Sequence, residues 1–77
     1  MAWNWSNSRE IGEALYDERP DQHPLRVRFT DLRAWVVALD EFEGDPNGAV
    51  EQTFEAIQMV WWEEYKEENP DASPYGR

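Results

Sequence analysis

A chain of 77 residues without a single cysteine has to be held together by packing alone. Domains this short bury a modest share of their surface and commonly rely on disulfides or a structural metal. Disulfides, Cys-ligated zinc and Cys-held iron-sulfur clusters are all excluded on this chain's own thiolates. The five Trp, three Tyr and three Phe supply the alternative, since each aromatic ring buries roughly 150–250 Å². A single domain over residues 1–66 is expected, with no bound cofactor needed for folding. Residues 67–77, with Pro70, Pro74 and Gly76 and few apolar side chains, are expected to form a flexible tail.

The apolar spacing predicts three helices. Ser6, Asn7 and Ser8 offer caps for the first, with Asn7 and Glu10 at capping-box spacing and Ile11, Ala14 and Leu15 facing inward. It must stop before Pro20. Between Pro20 and Pro24 lies a turn containing His23, read as an ordinary turn residue. Val27 and Phe29 then alternate with Arg26 and Arg28 in a short strand-like insert. Thr30 is the expected cap of the second helix, whose inward stripe is Leu32, Trp35, Val36 and Leu39. Gly44 is available for a left-handed cap, and Asp45-Pro46 reads as N-cap and N1 of the third helix, with Val50, Phe54, Ile57 and Trp61 on its core face. Trp62 falls on another face, suited either to an interface anchor or to the edge of the core. The fold class is therefore mainly α, a small three-helix domain with a strand-like insert.

Charge restricts the partners. The chain carries a net charge of −10, distributed unevenly: residues 1–38 hold six acids against five Arg, residues 39–77 eleven acids against Lys66 and Arg77. Such a field repels phosphate backbones, so nucleic acid is not expected as a partner; cations and basic protein surfaces are. No stretch approaches the roughly 20 apolar residues of a membrane span, and the first residues carry no basic-then-apolar leader pattern. A cytoplasmic monomer is expected.

Two carboxylate clusters and one pair stand out. Glu10, Glu13 and Asp17 share the solvent side of the first helix, with Glu18 and Asp21 close in sequence. Asp40, Glu41, Glu43 and Asp45 crowd the junction between the second and third helices, where acids after a helix C-terminus are mildly unfavourable. Glu51 and Glu55 are like charges one turn apart, predicted to point outward. Oxygen donors at such spacing can share a hard or borderline cation or face a basic partner. Taken without further information, a solvated surface that keeps the chain soluble accounts better for the first cluster and for Glu51 and Glu55, and equally well for the second cluster. No Ser–His–acid or Cys–His arrangement and no glycine-rich phosphate loop occurs, so an enzyme is not expected.

The run Trp5-Ser6-Asn7-Ser8-Arg9-Glu10-Ile11-Gly12-Glu13-Ala14-Leu15-Tyr16-Asp17 closely resembles the opening of IscX-type proteins. Further blocks follow in the same order: Pro20-Asp21, Pro24, Val27-Arg28-Phe29-Thr30-Asp31-Leu32, Trp35-Val36, Leu39, Phe42, Asp45-Pro46, Glu55-Ala56-Ile57 and Trp61. Coverage runs from Trp5 to about Glu64, leaving Trp3 and Trp62 outside the pattern. The resemblance implies a modified winged-helix fold and an adaptor in iron-sulfur cluster assembly. It implies weak, transient binding of Fe2+ and Fe3+ by surface carboxylates, for which Glu10, Glu13, Asp17, Asp21, Asp40, Glu41, Glu43 and Asp45 are the candidates. It also implies docking on the cysteine desulfurase, in competition with bacterial frataxin, with Glu10, Glu13, Asp17, Asp40, Glu41, Glu43, Glu51 and Glu55 as candidate contacts. Asn7, His23 and Gly44 depart from the usual pattern, each removing a potential oxygen ligand. An acidic interaction module without metal function is the alternative reading of the same residues.

Overall fold

The computed structural model describes residues 2–72. Three helices make up most of it: α1 (Ser8–Glu18), α2 (Phe29–Val37) and α3 (Glu51–Glu68), with a single 3-10 turn at Pro24–Arg26. Among the described residues the one β-type pairing is an isolated parallel bridge between Trp3 and Phe42. No hairpin of the kind a wing requires forms among them.

α1 and α3 make the main contact of the fold. Gly12 allows it: a Cβ there would lie 2.5 Å from Val60 Cγ1 and 3.1 Å from the Trp61 backbone nitrogen. Around this contact Ile11, Leu15, Leu32, Val36, Ile57 and Trp61 are sealed from solvent. The 3-10 turn is tied to α3 through the Gln58 side-chain amide, which donates to the Pro24 carbonyl at 2.9 Å. His23 caps that turn, its Nδ1 accepting from Leu25 N–H at 3.2 Å.

Several local expectations are corrected. Asn7 precedes α1 but makes no side-chain cap; its Oδ1 instead accepts from Asn4 N–H at 3.0 Å, folding the N-terminal segment back. The strand-like insert is the 3-10 turn followed by extended residues, because the edges it would need for pairing are absent among the described residues. α2 is capped at Arg28, whose extended backbone leaves Thr30 already inside the helix, and Asp31 in the first turn reaches back to Arg28 at 3.6 Å. It ends at Val37, so Leu39 is buried from a turn rather than from the helix.

Asp45-Pro46 does not start α3. Gly48 N–H bonds to the Asp45 carbonyl at 2.9 Å, closing a turn, and the helix begins at Glu51 after Val50, which is 63% exposed and not in the core. The Val50 N–H is satisfied by the Thr53 hydroxyl at 3.3 Å, one half of a capping box. Gly44 shows no left-handed backbone; it is required because a Cβ would meet the Phe42 ring at 2.7 Å. α3 runs through Glu68, past the boundary expected at residue 66, while residues 73–77 of the expected tail lie outside the described residues.

The tryptophans divide by depth. Trp61 is fully buried, whereas Trp35 is half-buried, edge-on to Trp61 at 6.3 Å and covered by the Arg19 guanidinium 3.9 Å above its ring. Trp62 is buried at the edge of the core, stacked on His23 at 5.3 Å. The lone histidine, expected as a turn residue, is thus also a packing element.

Trp61→Ala is expected to cost about 3–5 kcal/mol, close to the whole stability of a domain this small, and Trp35→Ala clearly less. Denaturant unfolding of both variants checks the order. Gly12→Ala should lower stability by about 1 kcal/mol net, because overpacking between the helices outweighs the roughly 1 kcal/mol gain in helix propensity. Unchanged or raised stability of that variant would mean that the two helices can part without loss.

Candidate functional site: an acidic ridge along α1 and α3

The close approach at Gly12 sets the solvent edge of α1 beside that of α3. Glu10 and Asp17 are exposed on α1, and Glu13 is half-buried between them, paired with Arg9 at 3.6 Å. Glu13, Arg9, Val60, Glu63 and Glu64 line a shallow groove of about 250 Å³ between the helices. Glu63 is itself paired with Lys66 at 3.1 Å. Both pairs are largely exposed, so each is worth at most about 1 kcal/mol and can exchange for a partner's charge.

Toward the end of the ridge Tyr16 reports on its surroundings. Its phenol is raised above the ordinary 10.0, first by partial burial and then by the negative charge of Glu68, Glu64, Asp17 and Asp21. Carboxylates from α1, from the turn after it and from the last turns of α3 therefore act on one point. Glu64 and Glu68 were not among the expected site residues. Their i, i+4 spacing was a signal in the sequence, but only the packing of α3 on α1 brings them to Asp17 and Asp21.

The second cluster is held differently. The Trp3 N–H donates to the Glu41 carbonyl at 2.7 Å, and the Glu43 N–H donates to the Trp3 carbonyl at 2.8 Å. The Trp5 indole N–H donates to the Asp45 carbonyl at 2.6 Å. These bonds pin the backbone while Phe42 turns inward and Asp40, Glu41 and Glu43 remain exposed. Asp45 is also exposed, but its carboxylate accepts from Asn47 N–H at 2.9 Å, a turn-forming role. Glu51 and Glu55 are exposed at the start of α3, as the apolar spacing implies.

The three sets are thus placed on separate elements: the ridge, the pinned loop and the start of α3. Among the described residues no three carboxylate or imidazole side chains converge closely enough to enclose a metal ion. No helix is long and apolar enough to cross a membrane.

The sequence profile of the iron-sulphur cluster assembly family matches residues 3–66. The chain belongs to this family, of the IscX type. An uncharacterized protein of Pseudomonas aeruginosa is 44% identical over 64 residues, covering 83% of this chain and 97% of that protein. The family match begins two residues before Trp5 and takes in Trp3, whose backbone clamps the Glu41–Glu43 segment. Trp3 therefore belongs to the pattern, in contrast to the expectation from the motif blocks alone.

The phenol of Tyr16 tests the ridge directly. Because the folded chain keeps this proton to higher pH than the unfolded chain, the associated stability is fully present below pH 10.0 and is lost as pH rises through the folded value. Following the Tyr16 side-chain carbon by NMR should show ionisation later than in an unstructured peptide. Glu64→Gln with Glu68→Gln should move it earlier, and an unmoved midpoint would mean that the end of α3 does not face Tyr16.

Proposed function

We propose that this protein is a non-catalytic, cytoplasmic adaptor of iron-sulfur cluster assembly that docks through acidic surface on a cysteine desulfurase and carries iron weakly as cargo. Family membership over residues 3–66 supports a role in cluster assembly. The observation that carries the finer reading is the ridge: acids of α1, the following turn and α3 assembled along one side of a closely packed helix pair. The layout is read as a modified winged helix, with three helices and, among the described residues, no hairpin.

A dispersed set of carboxylates favours encounter over tight capture. Exposed acids facing Arg and Lys of a partner raise the on-rate by steering and add little once both surfaces are solvated. Glu13 and Glu63 can leave Arg9 and Lys66 for such a partner at low cost, because those pairs are exposed. Glu10, Asp17 and Asp21 contribute charge without any ion pair to break among the described residues. Asp40, Glu41, Glu43, Glu51 and Glu55 extend the acidic surface onto other elements.

For iron, carboxylate oxygens suit a hard or borderline cation. The residues sit openly rather than as a closed shell, which matches loading and release better than storage. Glu10, Glu13, Asp17 and Asp21, joined by Glu64 and Glu68, are the favoured ligands. Asp40, Glu41 and Glu43 are secondary ones, and Asp45 contributes less because of its turn bond. Bacterial frataxin, by the same electrostatic logic, competes for the same basic surface of the desulfurase.

Binding kinetics with the desulfurase at several salt concentrations test this. The Debye length shrinks from ~30 Å at 0.01 M to ~8 Å at physiological ionic strength, so affinity should fall steeply with salt. Neutralising Glu10 and Asp17 together with Glu64 and Glu68 should slow association several-fold and leave dissociation nearly unchanged. Salt-independent affinity, or an unchanged on-rate in that variant, would remove the ridge from the docking surface.

A further inference from the structure

Gly12 and Val60 shape the groove between α1 and α3. Because Gly12 has no side chain, Val60 seats against it and stays partly exposed as an apolar floor, with Arg9 and Glu13 on the α1 wall and Glu63 and Glu64 on the α3 wall. At about 250 Å³ the space falls below the roughly 300–1,000 Å³ of small-molecule sites. It suits a single long side chain. Both walls are acidic when every charge on them is counted: α1 carries four acids against Arg9 and α3 six against Lys66, a balance of −3 and −5. Cationic side chains of the chain itself already sit on the rims. Arg9 Nε lies 3.6 Å from Glu13 and Lys66 Nζ 3.1 Å from Glu63, whereas half-buried Glu64 is in no ion pair among the described residues.

We infer that this groove holds one arginine side chain of the docking partner, its methylene stem on Val60 and its guanidinium shared by Glu64 and Glu13, and that Arg9 is the chain's own competitor for the place. The inference rests on the ridge as docking surface and adds the group that anchors it. Long basic side chains lay their stems on apolar surface while the charged head stays in water, which matches an apolar floor between carboxylate rims. The planar guanidinium fork can serve two carboxylates at once, a geometry that the point charge of lysine lacks. An aliphatic occupant would strip water from Glu13 and Glu64 without replacing it, and an acidic one is repelled by both walls. Arg9 is 82% exposed, so it holds Glu13 loosely and leaves at small cost. While in place it takes up one of the two carboxylates that the incoming guanidinium needs. Docking is thereby an exchange of one arginine for another, weakened by a contact inside the chain.

The test uses the full-length, 15N-labelled chain at physiological salt, where charges beyond about 8 Å are screened, and neither desulfurase nor iron. It is titrated with a short Gly/Ser peptide carrying two lysines with an arginine between them. One control peptide replaces the arginine with diaminobutyric acid, which keeps the charge on a shorter stem; another uses norleucine, which keeps a long stem and loses the charge. Amide shifts with the arginine peptide are expected at Gly12, Glu13, Val60 and Glu64, with affinity several-fold lower for both controls. Glu64→Gln should weaken the arginine peptide about two- to fivefold, the range that one exposed ion pair spans. Arg9→Gln should strengthen it by a similar factor. Arg28→Gln, which removes the same charge from a residue that does not line the groove, should leave it unchanged. Equal binding of the arginine and diaminobutyric peptides would overturn the inference and leave the ridge standing as a docking surface, since charge alone would then suffice. Absence of shifts with every basic peptide would overturn it and count against the ridge as well. Shifts centred on Asp40, Glu41 and Glu43, or equal gains from Arg9→Gln and Arg28→Gln, would overturn it too.

Discussion

The contact between α1 and α3 at Gly12 is the constraint from which most of this molecule follows. With Val60 and the Trp61 backbone against the bare Cα of Gly12, the two helices come close enough for Ile11, Leu15, Ile57 and Trp61 to seal one another from water. A chain with no cysteine has no covalent substitute for that burial. Each large apolar side chain removed from water contributes about 1.5–3 kcal/mol, so a few well-covered groups decide whether so short a domain folds. The same closeness assembles the acidic ridge, because the outer edges of the two helices become neighbours once their inner faces are packed.

A second device works at the other end of the molecule. Trp3 bridges to Phe42 by backbone hydrogen bonds on both sides, and Trp5 packs edge-on against Phe42 and Phe54 while its N–H holds the Asp45 carbonyl. The segment after α2 consequently runs in a defined path although it is neither helix nor sheet. Its acids stay exposed because Phe42 alone turns inward. Aromatic side chains thus do two jobs, filling the core and fixing a loop that carries charge.

Function follows from keeping these layers separate. The groups that hold the fold are apolar or aromatic and almost none is ionisable. The acids proposed to meet partners are exposed and weakly paired, so they can be changed without loosening the core.

By itself, the amino-acid sequence determined the helical class, the core face of α1, the Phe54, Ile57 and Trp61 stripe of α3 without Val50 or Trp62, the outward placement of Glu51 and Glu55, the acidity and the family. These depend on local periodicity, composition and motif order, which tertiary contacts leave intact. Leu32, Val36 and Trp61 were legible for the same reason. Tertiary structure decided where α2 stops and where α3 starts, because pairing of Trp3 with the Phe42 segment and the turn at Asp45–Gly48 override the capping signals at Gly44 and Asp45-Pro46. It decided that His23 and Trp62 stack at the core edge, a contact between residues far apart in the chain. It also decided that Glu64 and Glu68 join Asp17 and Asp21 around Tyr16. No local pattern carries that information, since the carboxylates meet only after helix packing has removed the water between α1 and α3.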